Sequence, residues 1–96
     1  MKINLSKKIK NIETGNDTDF TVKTVIVQAL LQTVSKGREP LAGDDKYKNA
    51  ALAERVVSAT NDDDFSIEDI VRMKETVGEF AAPLFLRQTW DTLEGK

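Results

Sequence analysis

Apolar residues recur along this chain in two rhythms, and the switch between them divides it. From Lys2 to Ile12 the apolar positions Ile3, Leu5, Ile9 and Ile12 fall among lysine, asparagine and serine. The two-residue spacing of Ile3 and Leu5 puts both on one face of an extended segment. Thr14-Gly15-Asn16-Asp17 follows, a run of residues suited to a turn, and Thr18-Asp19-Phe20 supplies a return strand. Residues 2–20 thus read as an extended arm or small β-hairpin around Gly15. A short helix from Ser6 to Ile12 is the competing reading.

From Thr21 onward the rhythm is helical. Thr21 can cap a helix by accepting from the Thr24 N–H, and Phe20 is spaced to pack on Val25 as a hydrophobic staple. The helix runs through Val22, Val25, Ile26, Ala29, Leu30 and Thr33 on one broad face and ends at Lys36, with Gly37 in the C′ position. Val27, Leu31 and Val34 lie on its other side, so it should be central. Its β-branched residues also suit a strand, but its length and paired end signals favour helix.

Arg38 to Gly43, with Pro40, forms a loop. Asp44 or Asp45 can cap a second helix from Lys46 to about Thr60, whose alanines leave a thin contact face. Phe65-Ser66-Ile67-Glu68-Asp69-Ile70 opens a third helix: Ser66 is the N-cap, Asp69 completes a capping-box variant, and Phe65 staples to Ile70. Ile67, Ile70, Met73, Val77 and Phe80 mark its buried face, and Gly78 weakens its last turn. Pro83 breaks the chain near Ala81-Ala82 and starts a fourth helix to about Leu93. On that helix Ala82, Leu86, Trp90 and Leu93 fall within roughly 80° of one another. Leu84 and Phe85 fall off this stripe, so either the N-terminal arm covers them or they face a partner.

The expected fold is mainly α. An N-terminal extended arm or small β-hairpin (1–20) precedes a compact bundle of about four helices (21–96), and 1–96 forms a single domain. The length of 96 residues fits one small core. Cysteine and histidine are both absent, which removes disulfides, thiolate nucleophiles, Cys/His zinc sites and imidazole catalysis. No stretch approaches a membrane span, and Met1 to Lys8 lacks the apolar core of a signal peptide. A reducing, cytoplasmic setting is the expectation.

Charge adds one feature. The formal net charge is −2, but residues 1–36 balance to +3 and residues 37–96 to −5. Lys2, Lys7, Lys8 and Lys10 form a basic arm that could meet nucleic acid, and the second and third helices have a helix-turn-helix-like proximity. Against this, the third helix opens with Asp64, Glu68 and Asp69, where a recognition helix would approach phosphates. The acidic run Asp62-Asp63-Asp64 fails the calcium-loop pattern, since Ile67 and Met73 stand where glycine and glutamate belong; a loop starting at Asp17 fails at Val22 and Gln28. No phosphate-binding glycine loop or nucleophile motif occurs. The expectation is therefore no enzyme, no cofactor, no metal and no evident small-molecule ligand.

The order of pieces carries a resemblance. A Lys2-Ile3-Asn4-Leu5 opening and a Gly15 turn lead through Phe20-Thr21-Val22 into Val25-Ile26-Val27-Gln28-Ala29-Leu30-Leu31. Phe65 to Ile70, Lys74-Glu75-Thr76-Val77-Gly78 and a Pro83-Leu84 closing helix follow. The chain resembles small helical proteins of no assigned activity encoded by bacteriophages and prophages, although Gly15-Asn16-Asp17 stands where those proteins carry a tighter Asp-Gly turn. The resemblance implies a phage context and transfers no catalytic residue. The leading expectation is a non-enzymatic protein-binding module that acts in assembly or engages a host or phage protein, with Leu84, Phe85 and Leu31 as its surface for a partner or a second copy. The alternative is a nucleic-acid-binding accessory protein using Lys2, Lys7, Lys8 and Lys10.

Overall fold

The structure, a computed structural model, describes residues 1–32 and 41–95. An antiparallel hairpin of β1 (Lys8–Lys10) and β2 (Asp17–Thr21) is followed by α1 (Val22–Leu30), α2 (Gly43–Ser58), α3 (Ile67–Phe80) and α4 (Pro83–Leu93). This is the hairpin-plus-bundle architecture expected, and its radius of gyration of 13.0 Å is that of a compact domain of this length.

The hairpin replaces the alternative of a helix over Ser6 to Ile12. Gly15, at φ +74°, supplies the left-handed turn residue, and its N–H donates to the Asn11 carbonyl at 2.8 Å. Ile3, Leu5 and Ile9 are fully buried while Lys2, Asn4, Lys8 and Lys10 are exposed, the alternation of a half-buried extended chain. The strands do not advance in step. Lys8 pairs with Thr21 and Lys10 with Asp17, so Ile9 alone spans the interval that Thr18 to Phe20 fill on β2. The bulged strand bends, and the Thr18 hydroxyl closes the gap by donating to the Ile9 carbonyl at 2.7 Å.

α1 is central: α2, α3, α4 and β2 all pack on it. Thr21 caps it as expected, accepting from the Thr24 N–H at 3.2 Å. It ends at Leu30 rather than Lys36: Leu31 still donates to the Val27 carbonyl at 3.1 Å, and the Gln32 N–H closes a tightened last turn on the Ala29 carbonyl at 3.3 Å. Thr33 to Lys36 and the expected stop at Gly37 lie outside the described residues, as does the loop to Pro40. α2 begins earlier than expected, with Ala42 at the N-cap and no side-chain cap bond. Asp44 and Asp45 sit in the first turn, where they favour the positive end of the helix dipole. At the other end the Lys23 ammonium donates to the Val57 and Ala59 carbonyls, at 3.2 and 2.7 Å, closing off α2 from α1. Only Asn49, Leu52, Ala53 and Val56 of α2 are buried within the helix, the narrow face its alanines imply.

The capping box of α3 is complete. The Ser66 hydroxyl accepts from the Asp69 N–H at 3.1 Å, and the Asp69 carboxylate accepts from the Ser66 N–H at 3.3 Å. Phe65 and Ile70 are both in the core. Two residues expected on the buried face are not there: Ile67 is 81% exposed and Phe80 44%. They are the first and last residues of the helix, where its buried face runs out. Gly78 has a packing role rather than only weakening the helix, since a Cβ there would stand 3.0 Å from Cζ2 of Trp90. The indole of Trp90 lies across α3 and donates to the Lys74 carbonyl at 3.1 Å.

Candidate protein-binding surface

The expected division of α4 into a core stripe and a free side is not how the helix sits. Its deepest residues are Thr89, Thr92 and Leu93. Leu84, Phe85, Leu86 and Trp90 are all partly buried and pack against the core, while Ala82 is exposed. The reason is the hairpin. The Gln88 carboxamide accepts from the Lys10 N–H and donates to the Lys10 carbonyl, both at 2.8 Å. That fastens β1 along the side of α4 that carries Leu84, one turn before Gln88. Leu84 and Phe85 are therefore both half-buried from within the chain. Leu31 is 57% exposed, just past the end of α1.

The apolar surface that remains near Phe85 is a groove of about 200 Å³. Its rims are Phe20, Phe80 and Phe85; Val25 and Gln28 of α1 and the Ala81-Ala82 corner complete it. Each part has a local cause. Phe20 lines the groove together with Val25, the residue it was expected to pack on. It also meets the Phe85 ring edge to face, with centroids 5.2 Å apart and planes at 74°, a favoured aromatic geometry. Pro83 forces α3 to stop and α4 to start, and the two alanines before it leave a notch between Phe80 and Phe85. Phe20 and Phe80 remain 40% and 44% exposed. Leu31 lies one turn beyond Gln28 and does not line this groove.

Sequence reasoning missed Phe20 and Phe80, reading both as core. The available signal was positional: each stands at the end of its element, where a helical or strand face no longer guarantees cover. It also missed two polar anchors of the N-terminal segment. One is Gln88. The other is Asn61, whose side-chain oxygen accepts from the Leu5 and Ser6 N–H groups at 2.8 and 3.3 Å. Its amide donates to Ser6 Oγ at 2.9 Å and Asn4 Oδ1 at 3.2 Å.

These anchors also place the basic residues. Lys2, Lys7, Lys8 and Lys10 do not form a free arm, because their backbone is held against Phe65, Asn61, α1 and Gln88. The side chains of Lys2, Lys8 and Lys10 are exposed and that of Lys7 is half-buried. Lys10 faces Asp17 across the hairpin, which tempers the local positive field.

The acidic residues serve local structure. Asp63 accepts from the Thr60 N–H at 2.6 Å. Asp69 caps α3 and accepts from Arg55 at 2.9 Å. Partial burial pushes the Asp69 carboxyl up, but the Arg55 hydrogen bond, the contacts with Ser66 and the Arg55 charge outweigh it and hold the group below the ordinary carboxylate value. Among the described residues no set of three acidic side chains is grouped to hold a metal, and no helix is long and apolar enough to cross a membrane.

No protein-family model, curated protein or solved structure matches the chain.

Proposed function

We propose that this chain is a non-enzymatic protein-binding module whose groove at Phe20, Phe80 and Phe85 takes apolar side chains of a partner protein. The observation that carries the reading is the grouping of three aromatic rings, two of them well exposed, around one apolar notch. Such patches mark association sites more often than chance exposure does, and aromatic anchors supply much of the energy at interface centres. The resemblance to phage and prophage proteins supplies the setting: the cytoplasm of a bacterial host, where the module acts in assembly or engages a host or phage protein.

Phe80 is the residue to change, because Leu84 and Phe85 also pack on the core. The test is affinity purification from infected or lysogenic cells with wild-type and Phe80→Lys chains as bait. A protein retained by the wild type and lost from Phe80→Lys, with helical circular dichroism and a cooperative melt preserved, supports the reading. Equal retention by both chains would refute the groove. The alternative, a nucleic-acid-binding accessory protein, rests on the exposed side chains of Lys2, Lys8 and Lys10. Salt-sensitive retention on DNA that is abolished by Lys8→Glu would replace the protein-binding reading.

A further inference from the structure

A second surface, mixing exposed apolar and charged side chains, lies between α2 and α3, away from Phe80. Both helices pack on α1, and a shallow trough of about 580 Å³ separates their outer faces. Two arginines bridge it. Arg55 donates to Asp69 at 2.9 Å, and Arg72 donates to Asn49 at 2.8 Å and lies 3.7 Å from Asp45. These bridges show that α2 and α3 run antiparallel and fix the width between them. Along the trough Tyr47 is 77% exposed, Ile67 81% and Val71 46%.

The charges left over on the two walls are opposite. On α2 the trough is lined by Lys48, and on α3 by Glu68 and Glu75; none of the three has an ion-pair partner among the described residues. A two-fold axis running along the trough would set the α2 wall of one copy against the α3 wall of another at unchanged height. Lys48 would then face Glu75 of the second copy, and Glu68 would face its Arg55. Each of these contacts is made twice, as the isologous symmetry of a homodimer requires. With the axis across the trough instead, Lys48 would meet the α2 wall of its copy and the acidic residues would meet each other, which like-charge repulsion disfavours.

We propose that the α2–α3 trough is a homodimer face, occupied by a second copy of this chain with α2 docked on α3. The proposal does not rest on the Phe80 groove, since the two surfaces share no lining residue. The partner-binding reading and the dimer can therefore fail separately.

The test is the mass of the full chain by sedimentation and light scattering over a range of concentrations. The expected result is a shift from 10.7 kDa to twice that mass as concentration rises. Ile67→Asp should hold the chain monomeric at every concentration. Ile67 is the first residue of its helix and almost fully exposed, so the variant should keep its circular dichroism. Glu75→Lys should weaken the dimer at least tenfold, and adding Lys48→Glu in the same chain should restore it. A wild-type chain that stays at monomer mass up to its solubility limit would overturn the proposal. So would a dimer that survives Ile67→Asp, or a Glu75→Lys defect that Lys48→Glu leaves unrepaired.

Discussion

Replacing Gly78 with alanine sets two effects of similar size against each other, and the structure says which prevails. In an exposed helix interior the exchange would be worth about 0.5–1 kcal/mol of added stability, because glycine loses more backbone freedom on folding. Here the new Cβ would stand 3.0 Å from Cζ2 of Trp90, inside ordinary contact distance. The indole cannot easily retreat. Its Nε1 donates to the Lys74 carbonyl at 3.1 Å, and the Lys74 ammonium sits 5.0 Å from the ring centroid while also pairing with Glu94 at 3.3 Å. Forcing an extra methyl into such a site costs roughly 1–3 kcal/mol. The net expectation for Gly78→Ala is a loss of up to about 2.5 kcal/mol, centred on about 1 kcal/mol, which at roughly 4–8 °C per kcal/mol is a measurable fall in Tm. Trp90 is the chain's one tryptophan, so its emission reports on this contact without interference and should shift in the variant. The decisive comparison uses Trp90→Leu as background. With no indole to meet, Gly78→Ala should change sign and stabilise that background by about 0.5–1 kcal/mol. Stabilisation of the wild-type chain with unchanged Trp90 emission, or the same destabilisation with and without the indole, would refute the reasoning.

Ser66→Ala should cost about 1 kcal/mol in denaturant melts, the usual worth of a side-chain N-cap; an unchanged midpoint would refute the role assigned to the Ser66 hydroxyl. Asp69→Asn should show a pH-dependent deficit. The folded carboxyl lies below its unfolded value, so the unfolded chain takes up the proton first; the wild-type advantage should be whole above about pH 4 and shrink as pH falls through the folded value, and a deficit that does not change on acidification would contradict this. The buried Thr89 hydroxyl finds no hydrogen-bond partner among the described residues, so Thr89→Val should be neutral or stabilising by up to about 1 kcal/mol, read as an equal or higher Tm.

What could be read from the chain beforehand was whatever depends on neighbours in sequence. The caps at Thr21 and Ser66, the burial of Phe65 and Ile70, the Pro83 start and the Ile3/Leu5 alternation are set within a few residues, and all appear in the fold. What could not be read depends on neighbours brought from afar. Phe20 has the spacing of a staple to Val25, but nothing near it in sequence announces the ring of Phe85 that it also meets. Gly78 reads as a weak point in a helix until Trp90 is laid across it. Leu84 reads as either covered by the N-terminal arm or facing a partner, because nothing near it in sequence says that Gln88 will hold β1 against α4. The same limit applies to the site: Phe85 was identified from its place off the α4 stripe, but Phe20 and Phe80 join it only through the hairpin and the Ala81-Ala82 corner.

The polar anchors bear on function as well as on stability. Asn61 and Gln88 act as main-chain partners for a segment with too few strand neighbours of its own: each satisfies backbone groups that a two-stranded hairpin leaves open. The consequence is a fixed hairpin in place of a swinging basic arm. A flexible lysine-rich tail could wrap an anionic polymer, whereas these lysines are held on a rigid surface with Asp17 directly across from Lys10. The same fastening fixes Thr21 at the start of α1 and holds Phe20 against Phe85. The anchoring that weakens the nucleic-acid reading therefore builds one rim of the aromatic groove. On the proposed protein-binding function, the N-terminal segment contributes through where it holds Phe20, more than through the charge it carries.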